Sequence, residues 1–184
     1  MTAKLKHGIT KVKDPGSALT HFIAMILAII AAMPLLSKAG HDSGHMHISA
    51  LAVFILSMIG LYAASTIYHT LDISPKINKL LRKIDHMMIF ILIAGTYTPV
   101  CMIVLGDKTG WTMLTLVWGI AIVGILINAL WITCLNGSPS LIYIAMGWVC
   151  VLAITKILNS MPKAGFLWLL AGGVIYTVGG IIYA

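Results

Sequence analysis

Glutamate is absent from this chain, and five aspartates are its entire stock of acid. With 12 Lys and Arg, only 9% of the 184 residues are charged, while 60% are hydrophobic. A soluble domain carries about 25% charged residues because its surface faces water. This chain cannot cover such a surface, so a water-soluble globular fold is excluded. Cysteine is scarce as well. Cys101, Cys134 and Cys150 lie within or at the ends of apolar segments and form no CxxC pair. Neither a disulfide framework nor a thiolate metal site is expected from them; they read as small buried hydrophobes. A cleavable leader is not expected either: the first apolar run is too long, follows sixteen fairly polar residues and lacks a clear cleavage site. The net charge of +7 comes with no nucleic-acid-binding motif. Its basic residues fall in two short blocks beside apolar segments, Lys4, Lys6, Lys11 and Lys13, and Lys76, Lys79, Arg82 and Lys83. Placed there, they report membrane orientation rather than a nucleic-acid partner.

What the chain has in abundance is long apolar runs. A helix needs about 20 apolar residues to cross a bilayer. Six runs meet that length, at about 17–36, 48–68, 85–105, 111–132, 141–158 and 164–184. No charge occurs from Thr109 to Thr155, and the turn formers Asn136-Gly137-Ser138-Pro139-Ser140 divide that stretch in two. The expected fold is therefore all-α, a polytopic transmembrane bundle of six spans behind an amino-terminal segment, residues 1–16. The amino terminus and the connection between spans two and three hold eight of the 12 basic residues. Short Lys/Arg-rich loops stay in the cytoplasm, which puts the amino terminus and residue 184 inside. The last run carries Gly172, Gly173, Gly179 and Gly180 near one helix face and stops without a polar flank. Small residues admit a close helix neighbour, so a seventh span past residue 184 is expected; the alternative is a bundle of six.

Four polar residues interrupt the apolar runs near one end. Ser65 and His69 are four apart and share a face of span two. Asp85 opens span three, and His21 lies one turn into span one. Ionisable groups inside a membrane generally face the bundle interior and mark function. Taken singly, each has a plainer reading: an interfacial histidine, an acid favoured by a helix amino terminus, a serine bonded to its own helix. Their convergence at one depth favours a site. His86 points about 100° away from Asp85 on an ideal helix and ranks below it. A second histidine group, His41, His45 and His47, belongs to a loop with Gly40 and Gly44. Such tracts bind metal, but this one reads as a solvated external loop. Zinc accepts three histidines and a water, and His69 with His21 falls short of that number.

The chain resembles the hemolysin III family, the bacterial branch of the progestin and adipoQ receptor group. The resemblance is carried by DPGSALTH around His21, SMIGLYAASTIYHTL with Ser65 and His69, KINKLLRKIDHMMIFILIAGTYTP around Asp85, and GGVIYTVGGIIYA in the last run. It implies seven spans in a bacterial plasma (inner) membrane and an intramembrane Zn2+ near the cytoplasmic side. The implied ligands are His69 and two span-seven histidines spaced HxxxH past residue 184, with Ser65 and Asp85 beside the metal. The same group is linked to alkaline ceramidases, which are zinc-dependent lipid amidases.

Three functions follow as expectations. In a zinc-dependent hydrolase of a lipid amide or ester, Asp85 would orient or deprotonate water and Ser65 would steady that water or the oxyanion. In a non-enzymatic regulator or sensor of membrane lipid homeostasis, zinc would clip helices together. A pore-forming cytolysin would need polar residues through the whole depth of the membrane, which spans four and five lack. The partner in each case is membrane lipid; the substrate and oligomeric state are not written in generic apolar side chains.

Overall fold

In the structure, a computed structural model, residues 12–42, 44–130 and 140–183 are described. They form α1 (Pro15–Asp42), α2 (His45–Thr70), α3 (Pro75–Pro99) with a π-helical continuation (Val100–Leu105), α4 (Lys108–Leu130), α5 (Ser140–Gly147), a 3₁₀ segment (Trp148–Ala153), α6 (Ile154–Ser160) and α7 (Lys163–Tyr183). The segment from α5 through α6 is a single span, so the helices make six crossings by length and apolarity. The protein is an all-α, multi-pass membrane bundle. Lys4, Lys6, Lys11, Cys134 and the divider Asn136–Pro139 lie outside the described residues, as do the side chains of His41 and Asp42.

The third helix starts ten residues before Asp85, at Pro75, instead of opening on the acid. The reason is local. Ser74 accepts a hydrogen bond from the Ile77 amide at 3.3 Å, and Pro75 takes the first helical position, where its missing N–H costs nothing. The basic block Lys76–Lys83 is thus helix rather than loop. The other end of the span stops at Gly106, whose φ of 60° suits glycine and whose N–H reaches back to the Cys101 carbonyl at 3.1 Å.

The core sits between α3, α4 and the α5–α6 span, around Phe90, Ala94, Tyr97, Val117, Ala121, Met146 and Ile157. Thr98 ties α3 to α4 by accepting from the Trp118 indole at 3.2 Å. Tyr97 ties α3 to the fifth span: its hydroxyl lies 2.6 Å from the Gly147 carbonyl and accepts the Cys150 amide at 2.8 Å. That insertion coincides with the change from α to 3₁₀ geometry. Helix α2 packs on α3 closely at Gly95, where a Cβ would collide with the Ser57 side chain. Helix α1 packs on α2, and α7 packs on α5 while exposing Trp168, Ile175 and Ile182. In a bilayer such an outer surface meets lipid, and the helices satisfy their own backbone polar groups.

Candidate functional site

The close packing of α2 on α3 brings Ser65 and Asp85 together. Both are buried, and the Ser65 hydroxyl donates to Oδ1 of Asp85. An ionised carboxylate accepts only, so the direction of this bond follows from the chemistry. Burying a carboxylate without partners is costly, and the serine supplies one donor. His86 supplies a second neighbour, its Nδ1 3.6 Å from Oδ2 of Asp85. The backbone carbonyl of His86 accepts from the Tyr143 hydroxyl at 3.2 Å, which fixes this turn of α3 against α5. His86 therefore stands beside the acid despite the ideal-helix angle between them.

His69 lies one turn past Ser65, at the end of α2, within electrostatic reach of Asp85. The last carbonyls of a helix have no partner within it. Here the chain just before α1 provides them: the Asp14 N–H donates to the His69 carbonyl at 2.9 Å and the Lys13 N–H to that of Thr70 at 3.4 Å. The Asp14 carboxylate then reaches Nδ1 of His69 at 3.1 Å, and the Lys13 ammonium sits 3.5 Å above the Tyr68 ring. His21 stacks on His69 with ring centroids 5.6 Å apart and planes 20° from parallel. Nδ1 of His21 lies 2.7 Å from the Ser17 carbonyl.

These partners assign the tautomers. A carbonyl and a carboxylate accept only, so Nδ1 carries a proton on both rings, and in the neutral imidazole the lone pair is then on Nε2. A histidine whose Nδ1–H points at a carboxylate is the arrangement that turns Nε2 toward a cation. The number of ligands is another matter. Among the described residues, no three His, Cys, Asp or Glu side chains converge on one point. The donors present fit zinc in kind and supply one part of its shell.

All the residues singled out from sequence, Ser65, His69, Asp85, His21 and His86, thus gather at one end of α1, α2 and α3. Sequence reasoning passed over Asp14 and took Lys13 only as a sign of membrane orientation. The available signal was an acid immediately before the Pro15 that starts α1, seven residues from His21 in the same DPGSALTH segment. The second histidine group stays apart from this one, and His45 and His47 are not in a loop as expected: they form the first turn of α2, at its other end.

The model of the family described as Haemolysin-III related matches residues 9–184. The chain belongs to the hemolysin III family. It is 38% identical over 184 residues to Hemolysin-3 of Bacillus cereus, an alignment covering 100% of this chain and 84% of that protein. It is 35% identical over 171 residues to the Hemolysin-3 homolog of Bacillus subtilis (strain 168), covering 93% of this chain and 80% of the relative. Membership and the six apolar helices agree on a hemolysin III-like integral membrane protein.

Proposed function

We propose that this hemolysin III family member holds Zn2+ at the Ser65–Asp85–His69 end of its bundle and hydrolyses a lipid amide or ester there. The observation that carries the reading is the buried Ser65–Asp85 pair beside a histidine whose Nδ1 is held by Asp14. His69 would hold the metal through Nε2; the two histidines that the resemblance adds are not in this sequence. Bound zinc supplies a Lewis acid and makes hydroxide available at about neutral pH. Asp85 would take the proton of the attacking water. Ser65 donates its one O–H in a hydrogen bond to Oδ1 and so fixes the carboxylate's orientation, leaving its own lone pairs to accept from a water. His21, stacked on His69, would keep that ring from turning. We place this end at the cytoplasmic side of a bacterial plasma membrane, because Lys13, Lys76, Lys79, Arg82 and Lys83 gather there. An amide or ester bond lies at headgroup level, the depth at which these residues stand.

The test is lipid turnover by purified, zinc-loaded full-length protein. Asp85→Ala should abolish turnover and leave the protein folded; undiminished turnover would remove the reading.

A second reading is favoured by one observation. The same residues fasten three helices, α1 to α2 through Asp14–His69 and α2 to α3 through Ser65–Asp85. Zinc there would be a clip in a regulator of membrane lipid state. Chelation would then lower the melting temperature, and no lipid product would form in any assay.

A further inference from the structure

The third span is too long for the membrane it crosses. From Pro75 to Leu105 it runs 31 residues, about 46 Å at 1.5 Å per residue, against a hydrocarbon core of about 30 Å. The surplus lies at the amino-terminal end, since Lys76, Lys79, Arg82 and Lys83 fall before Asp85 and no charged residue follows in the span. At about 100° per residue, Ile77, Leu80 and Ile84 share one narrow arc of this end. The four basic residues occupy the arc on one side of it, and the buried Asp85 lies on its other side, about 110° from its centre. The apolar arc is uncovered: Ile77 is 38% exposed, Leu80 55% and Ile84 37%.

The charges beside it are mostly unspent. Lys83 donates to the Ala129 carbonyl at 2.6 Å, near the end of α4. Lys76, Lys79 and Arg82 make no ion pair or side-chain hydrogen bond with any described residue. Asp72, the acid nearest Lys76 in sequence, is engaged by the Asn78 side-chain amide at 2.6 Å, and Asp85, nearer to Lys79 and Arg82, is buried with Ser65. An exposed apolar arc beside cations with no protein partner is the pattern of helix surface that favours the membrane interface, and here that surface is the part of α3 that passes through the headgroup layer. Clusters of Lys and Arg just outside a span attract anionic headgroups.

We propose that the first turns of α3 form a binding face for anionic phospholipid headgroups. Lys76, Lys79 and Arg82 contact the phosphodiester, Ile84 lies against the first carbons of the acyl chains, and Leu80 and Ile77 face the glycerol and ester region above them. The occupant is a lipid rather than a soluble phosphate because the apolar arc adjoins the cations and needs a partner of its own. The face is independent of the zinc reading.

The test is native mass spectrometry of the full chain released from nanodiscs of equal phosphatidylglycerol and phosphatidylcholine. The wild type should retain phosphatidylglycerol over phosphatidylcholine roughly tenfold. K76Q/K79Q/R82Q should bring retention close to parity, with an unchanged melting temperature in neutral detergent. Should the triple variant not fold, the wild type alone decides: raising salt from about 50 mM to about 500 mM should erase most of the preference. Parity in the wild type, a preference that salt leaves intact, or one that survives the triple substitution would overturn the proposal. So would displacement of the bound lipid by soluble glycerol phosphate. No arm of the experiment involves zinc or turnover, so its failure and that of the hydrolase reading are distinct.

Discussion

The Asp14 carboxylate stands 3.1 Å from Nδ1 of His69, and the Asp14 N–H donates to the carbonyl of the same histidine at 2.9 Å. One residue ahead of α1 therefore holds the last turn of α2 by main chain and side chain together. Substitution changes only the side-chain half. Asp14 is half exposed, so the stability lost in Asp14→Ala should stay under about 1 kcal/mol. On the zinc reading proposed above, zinc affinity measured by competition with a chelator should fall roughly tenfold to a hundredfold. Asp14→Glu should restore part of it. A variant with lowered melting temperature and unaltered zinc affinity would reduce Asp14 to a cap on α2.

Ser65 and Asp85 should behave as one unit. Ser65→Ala removes a donor from a buried carboxylate, which costs about 1–3 kcal/mol. In an Asp85→Asn background the same change should cost less, because the charge that needed the donor is gone. The coupling expected from the double-mutant cycle is about 0.5–3 kcal/mol, read from melting temperatures in one detergent. Strict additivity would mean that the hydroxyl and the carboxylate do not meet in the membrane.

At the other end of the bundle, Asp107 pairs with Lys156, which also donates to Thr109 at 2.8 Å. The lysine, then the Gly110 N–H, hold the Asp107 carboxyl below its ordinary range. A group whose folded pKa is lowered stabilises the fold above its unfolded pKa, about 4 for aspartate. That contribution is lost as pH falls from there through the lowered value. The protection of amides 105–109 against hydrogen exchange, taken relative to their intrinsic rate at each pH, should therefore fall on acidification below about pH 4 in the wild type. In Lys156→Gln the protection should be lower already at neutral pH and respond less to acid. Identical acid profiles in the two proteins would show that the pair does not tie this loop to α6.

The spans were legible because composition alone decides them: a run such as Ile48–Tyr68 has no charge to place in water. The grouping of Ser65, His69, Asp85 and His21 was legible because each is costly in hydrocarbon and all lie near the same ends. Boundaries were less so. Lys76–Lys83 look like a loop by charge, but Ser74 and Pro75 start a helix there, and a helix end in the headgroup region tolerates lysine and arginine. Asp14 was hidden for a different reason. Its partner is 55 residues away, and only the packing of α1 on α2 brings the two together. Tyr97 was hidden likewise, since a tyrosine in an apolar run gives no sign of which backbone its hydroxyl will meet.

Tyr97 gives the sharpest test of that packing. Its hydroxyl bridges the Gly147 carbonyl and the Cys150 amide, with the Met146 carbonyl 3.2 Å away. Tyr97→Phe removes one oxygen, preserves the ring, and leaves those backbone groups in hydrocarbon without it. The cost should be about 1–3 kcal/mol, seen as a lower melting temperature in detergent. Amide exchange should rise most at residues 147–151 and little in α1. A regular α-helical ladder through 146–153 would also satisfy these groups, so the fifth span should lose its 3₁₀ segment if the bundle permits it to straighten. A variant with unchanged melting temperature and exchange would show that the hydroxyl is not what interrupts the helix, and the 3₁₀ segment would then have to follow from its own sequence.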